Sequence, residues 1–272
     1  MEDYDDIAKF FEEENLPRDP KVDQAIARLR AFFDANPQRL FYSTQIETSL
    51  EREFFHWITG RALLEMGNAG EITRIPQGVA GQTVNFYANR KHRYVRRELK
   101  SMVKIMVRLF DPDFAHAIGR QGELMFDAAF GRFGFHIQAK DVKAWNERSW
   151  HETNDNLDRI ITRDGLAYGV EIKNTQNYIP HTELRTKIRS SQYLGLIPLF
   201  IMRFAPKSYM HELIQAGGYG LLFEHQMYPW GHGTLLAEAR EHLLLKVHSP
   251  RDIEEGHMIR LVKWHTNRLR RG

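Results

Sequence analysis

Two acids and a lysine near the middle of the chain have the types and spacing to do chemistry. They are Asp158, Glu171 and Lys173, in N-L-D-R-I-I-T-R-D-G-L-A-Y-G-V-E-I-K-N-T-Q from Asn156 to Gln176. The Asp164-Gly165 pair between them is the strongest local signal for a two-residue hairpin turn, and it is flanked by two apolar, β-branched runs, Leu157 to Thr162 and Ala167 to Lys173. With those two residues as the loop, Arg163 pairs with Leu166, Ile161 with Tyr168 and Arg159 with Val170, and Asp158 falls opposite Glu171. Side chains alternate along a strand, so Glu171 and Lys173 share a face while Tyr168, Val170 and Ile172 take the other. Carboxylates placed opposite each other sit roughly 4.5 to 5.5 Å apart at Cβ and repel. A hard divalent cation removes that repulsion, and Mg²⁺ suits two carboxylates with water and substrate phosphate completing its shell. The chemistry available to such a set is phosphodiester hydrolysis, with the cation activating water and drawing charge from the phosphoryl group. Lys173 would position the attacking water or stabilise the developing negative charge.

The elements that must hold these residues are legible on either side. Gly119 to Arg132 reads as a helix with Leu124, Met125, Ala128 and Ala129 on its apolar face, and Phe135 to Ala139 as a strand followed by a polar excursion through Trp145 to Asn154. Beyond the hairpin, N-T-Q-N-Y-I-P is a loop and Thr182 to Leu194 a helix. Leu199 to Phe204 is a strand apolar enough to be buried on both faces, Lys207 to Ala216 a helix, and Tyr219 to Glu224 a strand. This order, with Asp158 followed by Glu171-Ile172-Lys173 at a strand end, resembles the PD-(D/E)XK nuclease superfamily, with its restriction-endonuclease-like and Holliday-junction-resolvase-like cores, over roughly Gly119 to Glu224. Leu157 stands where the family's name puts a proline.

The resemblance implies an α/β fold with a restriction-endonuclease-like mixed central sheet flanked by helices. It implies a Mg²⁺-dependent endonuclease in which Mn²⁺ can substitute, acting on DNA. Asp158, Glu171 and the backbone carbonyl of Ile172 would be metal ligands, and Lys173 catalytic. Glu123, in G-E-L-M-F-D-A-A-F-G-R-F-G-F, would add an acid through a water or a second metal; taken alone, without Asp158 and Glu171, it reads as an acid favoured near a helix N-terminus. Asn174, Gln176, Arg185, Lys187, Arg189 and Gln192 become candidates for holding the scissile strand. RNA as substrate stays open, as does a DNA-binding or assembly protein that keeps such a fold without chemistry. Cutting both strands of a duplex points to a homodimer.

Upstream, Asp3 to Glu14 reads as a short helix, and Asp19 as the N-cap of a helix from Pro20 to Asp34 carrying Val22, Ile26, Leu29 and Phe33 at helical spacing. Thr44 with Glu47 is a second capping signal, and Ile46 to Met66 is mostly helical. Glu71 to Pro76 and Thr83 to Ala88 read as strands. Three helices and a two-stranded wing, with the L-L-E-M-G-N-A-G-E-I transition, resemble a winged-helix module. That resemblance makes Glu51 to Met66 the recognition helix, with Arg52, His56 and Arg61 reaching DNA. The other reading is a helical packing domain with Phe54, Phe55 and Trp57 in its core. His92 to Phe110 is a long helix, and Asp111-Pro112-Asp113 breaks the pattern near the expected division. The domains expected are 1–110, mainly helical and DNA-binding; 111–248, the nuclease; and 249–272, a basic terminal segment.

Composition narrows the classes. The 272 residues hold 42% hydrophobic and 27% charged side chains, ordinary for a soluble globular protein, and no apolar run approaches the ~18 residues of a membrane span. The acidic start, M-E-D-Y-D-D, is unlike a signal peptide, which leads to a cytoplasmic expectation. Without cysteine there is no disulfide or thiolate site, so any metal rests on oxygen or histidine. The thirteen histidines form no H-E-x-x-H, and G-G-Y-G at 217–220 lacks the Lys-Ser/Thr of a P-loop, so no nucleotide cofactor is expected. Net charge is only +3, but Arg90, Lys91, Arg93, Arg96 and Arg97 form a basic block that suits phosphates or a solvated helix face.

Overall fold

A computed structural model describes residues 18–270; the helix expected at Asp3 to Glu14 lies outside them. The architecture is mixed α/β. The chain divides into two compact units, one running to Phe114 and including Ala237–Leu245, the other formed by Ala115–Leu236 with Lys246 onward.

The first unit runs α1 (Lys21–Ala35), β1 (Leu40–Tyr42), α2 (Ser43–Leu50), α3 (His56–Asn68), β2 (Ile72–Val79), β3 (Gln82–Asn89) and α4 (Val95–Leu109). Asp19 caps α1 through its carboxylate, which accepts the Lys21 N–H at 2.8 Å. The capping signal at Thr44 and Glu47 is displaced: the Gln45 side chain accepts the Tyr42 N–H at 2.7 Å, and Glu47 is buried, its carboxyl pushed up to about 8 by burial. The strand β1 has no counterpart in the expected elements, because three wholly buried residues are too short to show alternation. It pairs antiparallel with β3, which pairs antiparallel with β2. Leu29, Phe33, Ile46, Leu63 and Met66 form the core here, with Phe54, Phe55 and Trp57 packed against it half-buried.

The second unit is built on α5 (Pro112–Arg132), β4 (His136–Val142), the short β5 (Ala144–Trp145) and β6 (Arg148–Ser149), β7 (Leu157–Arg163), β8 (Leu166–Lys173), α6 (His181–Tyr193), β9 (Ile197–Met202), α7 (Lys207–Gln215) and β10 (Tyr219–Leu222). The expected break at Asp111-Pro112 is the start of α5, whose Phe114 N–H is capped by Asp111 Oδ1 at 3.0 Å. The sheet order is β10-β9-β8-β7-β4, antiparallel through β4, β7 and β8 and parallel through β8, β9 and β10. Alternation gives it two apolar faces. Tyr168, Val170, Ile172, Leu199 and Ile201 pack with Phe126 and Phe130 of α5, while Phe200 and Met202 pack with Leu184 and Ile188 of α6.

After β11 (Gln226–Met227), α8 (Gly233–Glu241) and β12 (Val247–His248), the last described element is α9 (Glu255–Leu269). The terminal stretch, expected as a basic segment of its own, belongs to the second unit. Met258 and Leu261 of α9 are fully buried in the core with Tyr168 and Phe135, an apolar stripe at helical spacing that surrounding charges mask in sequence. Among the described residues no helix is long and apolar enough to cross a membrane.

Candidate active site

The hairpin turn is where the sequence puts it. Asp164 and Gly165 both have positive φ, 47° and 78°, as a type I′ turn requires, and the ladder runs from Arg163↔Leu166 through Ile161↔Tyr168 to Arg159↔Val170. A clamp reinforces it. His265 of α9 is buried, with Nε2 2.9 Å from Asp164 Oδ2 and Nδ1 2.5 Å from the Tyr168 hydroxyl. Neutral His265 satisfies both bonds when Nε2–H donates to the carboxylate and Nδ1 accepts from the phenol.

Backbone pairing of β7 with β8 stops at Arg159↔Val170, one step short of the Asp158–Glu171 pair. There the Asp158 side chain replaces a carbonyl: its Oδ2 accepts the Ile172 N–H at 2.7 Å. Burial, followed by the charge of Glu171, pushes the Asp158 carboxyl up to about 7, against the lowering effects of the Ile172 N–H, Lys187 and Lys173. Glu171 is 1% exposed and lies between two ammonium groups, Lys187 Nζ at 2.8 Å from Oε2 and Lys173 Nζ at 3.0 Å from Oε1. The second contact is an ion pair, and Glu171 Oε1 has no further donor beside it. Lys173 also pairs with Glu183 Oε1 at 2.7 Å. Burial works to lower the Lys173 pKa, but Glu171 and Glu183 outweigh it and hold the ammonium above its ordinary value.

Helix α6 therefore contributes two residues to this face. Glu183 and Lys187, at i and i+4, lie over the hairpin, and Lys187 Nζ also donates to the Asn156 carbonyl. A close approach permits this: a Cβ at Gly169 would sit 2.6 Å from Ser191 Oγ of α6. Lys187, expected among strand-holding residues, is buried beside Glu171 instead, and Glu183 was missed. The only sequence signal for them was their shared helix face, common to any amphipathic helix.

Glu123 lies apart from this group. Its Oε2 accepts from Arg159 Nη2 at 2.7 Å, and Arg159 also bonds Asp127 Oδ1 at 2.9 Å and the Asp158 carbonyl at 2.6 Å. Lys140 of β4 closes this second cluster with 2.6 Å to Asp127 Oδ2. Arg159 is one residue from Asp158 and so faces α5, on the other side of the hairpin. No group of three or more histidine and carboxylate side chains is arranged to hold a metal among the described residues.

The expected strand-holding residues scatter. Asn174 is buried, its amide donating to the Ile118 and Met227 carbonyls and accepting the Met227 N–H, each at 2.7 Å, so it ties the loop after β8 to the fold. Gln176 bonds Gln226 at 2.8 Å. On the outer side of α6, Arg185 pairs with Glu212 and Arg189 with Glu152, and Gln192 reaches the Ala216 carbonyl at 3.4 Å. The first unit's Arg90, Lys91, Arg93, Arg96 and Arg97 are exposed, whereas His56 of α3 is buried 3.5 Å from Glu51 and Arg61 pairs with Glu65. Comparison of the chain with protein-family models, curated protein sequences and solved structures returned no match.

Proposed function

We propose that the second unit is a metal-dependent deoxyribonuclease with a PD-(D/E)XK type of site at Asp158, Glu171 and Lys173. The observation that carries this reading is the end of the hairpin, where a half-buried and a buried carboxylate share one face with a lysine and Asp158 is raised by burial and by its acidic neighbour. The element order α5, β4, β7, β8, α6, β9, with three antiparallel strands and then a parallel one, supports a restriction-endonuclease-like core. The helix, strand, helix, helix and two-stranded order of the first unit supports a winged-helix-like module.

The donor set fits a hard cation. Asp158 and Glu171 supply carboxylate oxygens, and Glu171 Oε1 is a buried acceptor that meets only the Lys173 ammonium, at 3.0 Å. Ile172, between Glu171 and the end of β8, adds a backbone carbonyl. A divalent cation held there would polarise the phosphoryl oxygens and activate water. Lys173 stays an ammonium at working pH, so it orients the nucleophile or stabilises charge on the phosphate and does not act as a general base. Glu183 fixes the Lys173 amine, and Lys187 fixes Glu171. Glu123 is assigned to the Arg159 cluster and not to the cation.

A second reading has its own observation. Glu171 is already neutralised by Lys187 and Lys173, the arrangement expected of a DNA-binding protein that has kept the scaffold without chemistry. Incubation with linear, branched and supercoiled DNA, and with RNA, in Mg²⁺ or Mn²⁺ separates the two. Cleavage lost in Asp158→Ala and Lys173→Ala supports the nuclease. No cleavage of any substrate, or equal cleavage by the variants, rejects it.

A further inference from the structure

The exposed faces of the first unit's helices α1, α3 and α4 differ in charge chemistry. The α3 face is internally neutralised: Arg61 pairs with Glu65 at 3.2 Å, and Glu65 is shared with Arg18. On α1, Arg28 pairs with Glu53 and Arg30 with Glu71. The face of α4 is the opposite. Arg96, Lys100 and Lys104 recur every four residues, one above the other, with Arg97 alongside and Lys91 and Arg93 in the turn ahead. All are exposed, and none has a carboxylate partner among the described residues. Glu98, the acid within this stretch, is taken by buried His92 at 2.6 Å.

This arrangement works against the helix that carries it. Cations in the first turns oppose the positive N-terminal end of the helix dipole, and like charges at i and i+4 repel. A solvated face with no partner gains nothing from that pattern, whereas a polyanion relieves both conflicts. The stripe from Arg96 to Lys104 spans about 12 Å at 1.5 Å per residue, comparable with several phosphates of one strand, which recur about every 3.4 Å along a duplex. The apolar side of α4, Met102, Ile105, Met106 and Leu109, is buried within the unit, and Val107 alone among its large apolar residues is exposed, too little to insert into a lipid surface.

We propose that α4, and not α3, is the nucleic-acid-binding element of the first unit, and that it holds the phosphate backbone of duplex DNA by charge and independently of sequence. The inference uses the DNA-directed reading above for the class of partner, but it does not depend on cleavage. The test is fluorescence anisotropy of the full chain on two unrelated duplexes in EDTA over a salt series. It compares wild type with the triple variant Arg96→Gln, Lys100→Gln, Lys104→Gln and with Arg61→Gln as control. Each lost phosphate contact flattens the log–log salt slope by about 0.9, so the triple variant should be about 2 to 3 units flatter and at least ~100-fold weaker, equally on both duplexes. Relief of like-charge strain should leave its melting temperature unchanged or higher, which separates loss of contact from loss of fold. Arg61→Gln should bind as wild type does. An unchanged slope in the triple variant, a larger loss in Arg61→Gln, strong discrimination between the duplexes, or binding to phosphatidylserine vesicles but not to DNA would each overturn the proposal. Binding as described without cleavage in Mg²⁺ would sink only the nuclease reading.

Discussion

The two faces of the β7–β8 hairpin hold charge clusters of similar composition and different character. Toward α5, Arg159 is surrounded by Glu123, Asp127 and the Asp158 carbonyl, and Lys140 completes Asp127. Donors there meet acceptors, and the cluster is a finished structural joint. Toward α6, Asp158 and Glu171 crowd each other, Asp158 is raised to about 7, and Glu171 Oε1 has only the Lys173 ammonium, which it shares with Glu183. Two acids held close together repel unless a cation lies between them, so the α6 face has a reason to bind one. Proximity of acids is therefore a poor guide to a site; the balance of donors and acceptors around them is a better one.

That contrast can be broken most directly by removing one acid from each face. Asp158→Ala should lower cleavage by more than about 100-fold, beyond the 10- to 100-fold typical of groups that only orient metal ligands, while Glu123→Gln should cost about 0 to 1 kcal/mol of stability and leave cleavage near wild type. Equal losses in steady-state cleavage assays would merge the two clusters into one site.

Removing the cations tests stability. Lys187→Ala leaves Glu171 buried with one ammonium partner fewer, and Arg159→Ala takes the partner of Glu123 and leaves Asp127 with Lys140 alone. Each should destabilise by about 3 kcal/mol in urea unfolding. Added Mn²⁺ should recover part of the loss in Lys187→Ala and none in Arg159→Ala, because only the α6 face can exchange a lysine for a metal.

The pH dependence carries a definite sign. Asp158 in the folded chain titrates near 7, above the ordinary aspartate value of 3.8. The unfolded chain therefore binds fewer protons between those values, and this group's contribution to stability falls as pH rises from about 4 to about 7 without metal. A cation needs the ionised form, so its apparent affinity should fall up to about tenfold per unit as pH drops below 7, measured by calorimetry in matched buffers. The smallest expected effect is Glu183→Gln, about 10-fold in cleavage, through a less fixed Lys173.

Much of this was legible in advance for a physical reason. The Asp164-Gly165 turn sets register, and register sets faces, so the ladder and the separation of Tyr168, Val170 and Ile172 from Glu171 follow from local chemistry. What was not legible depends on long-range packing. Which helix covers which face decides that Glu123 meets Arg159 and that Lys187 meets Glu171. No periodicity in Thr182 to Leu194 distinguishes a lysine that turns inward from one in solvent. The clamp of His265 on the turn joins residues 101 apart in sequence, and the burial of Asn174 rests on the Ile118 and Met227 carbonyls, which local pattern does not announce.

The central claim is that the α6 face, and not the α5 face, takes a divalent cation. Calorimetric titration of Mn²⁺ at pH 8 into wild type, Asp158→Asn and Glu123→Gln, with and without duplex DNA, tests it most directly. Binding should be present in wild type, preserved in Glu123→Gln and abolished in Asp158→Asn. Binding that survives Asp158→Asn, or that disappears with Glu123→Gln, would contradict the account.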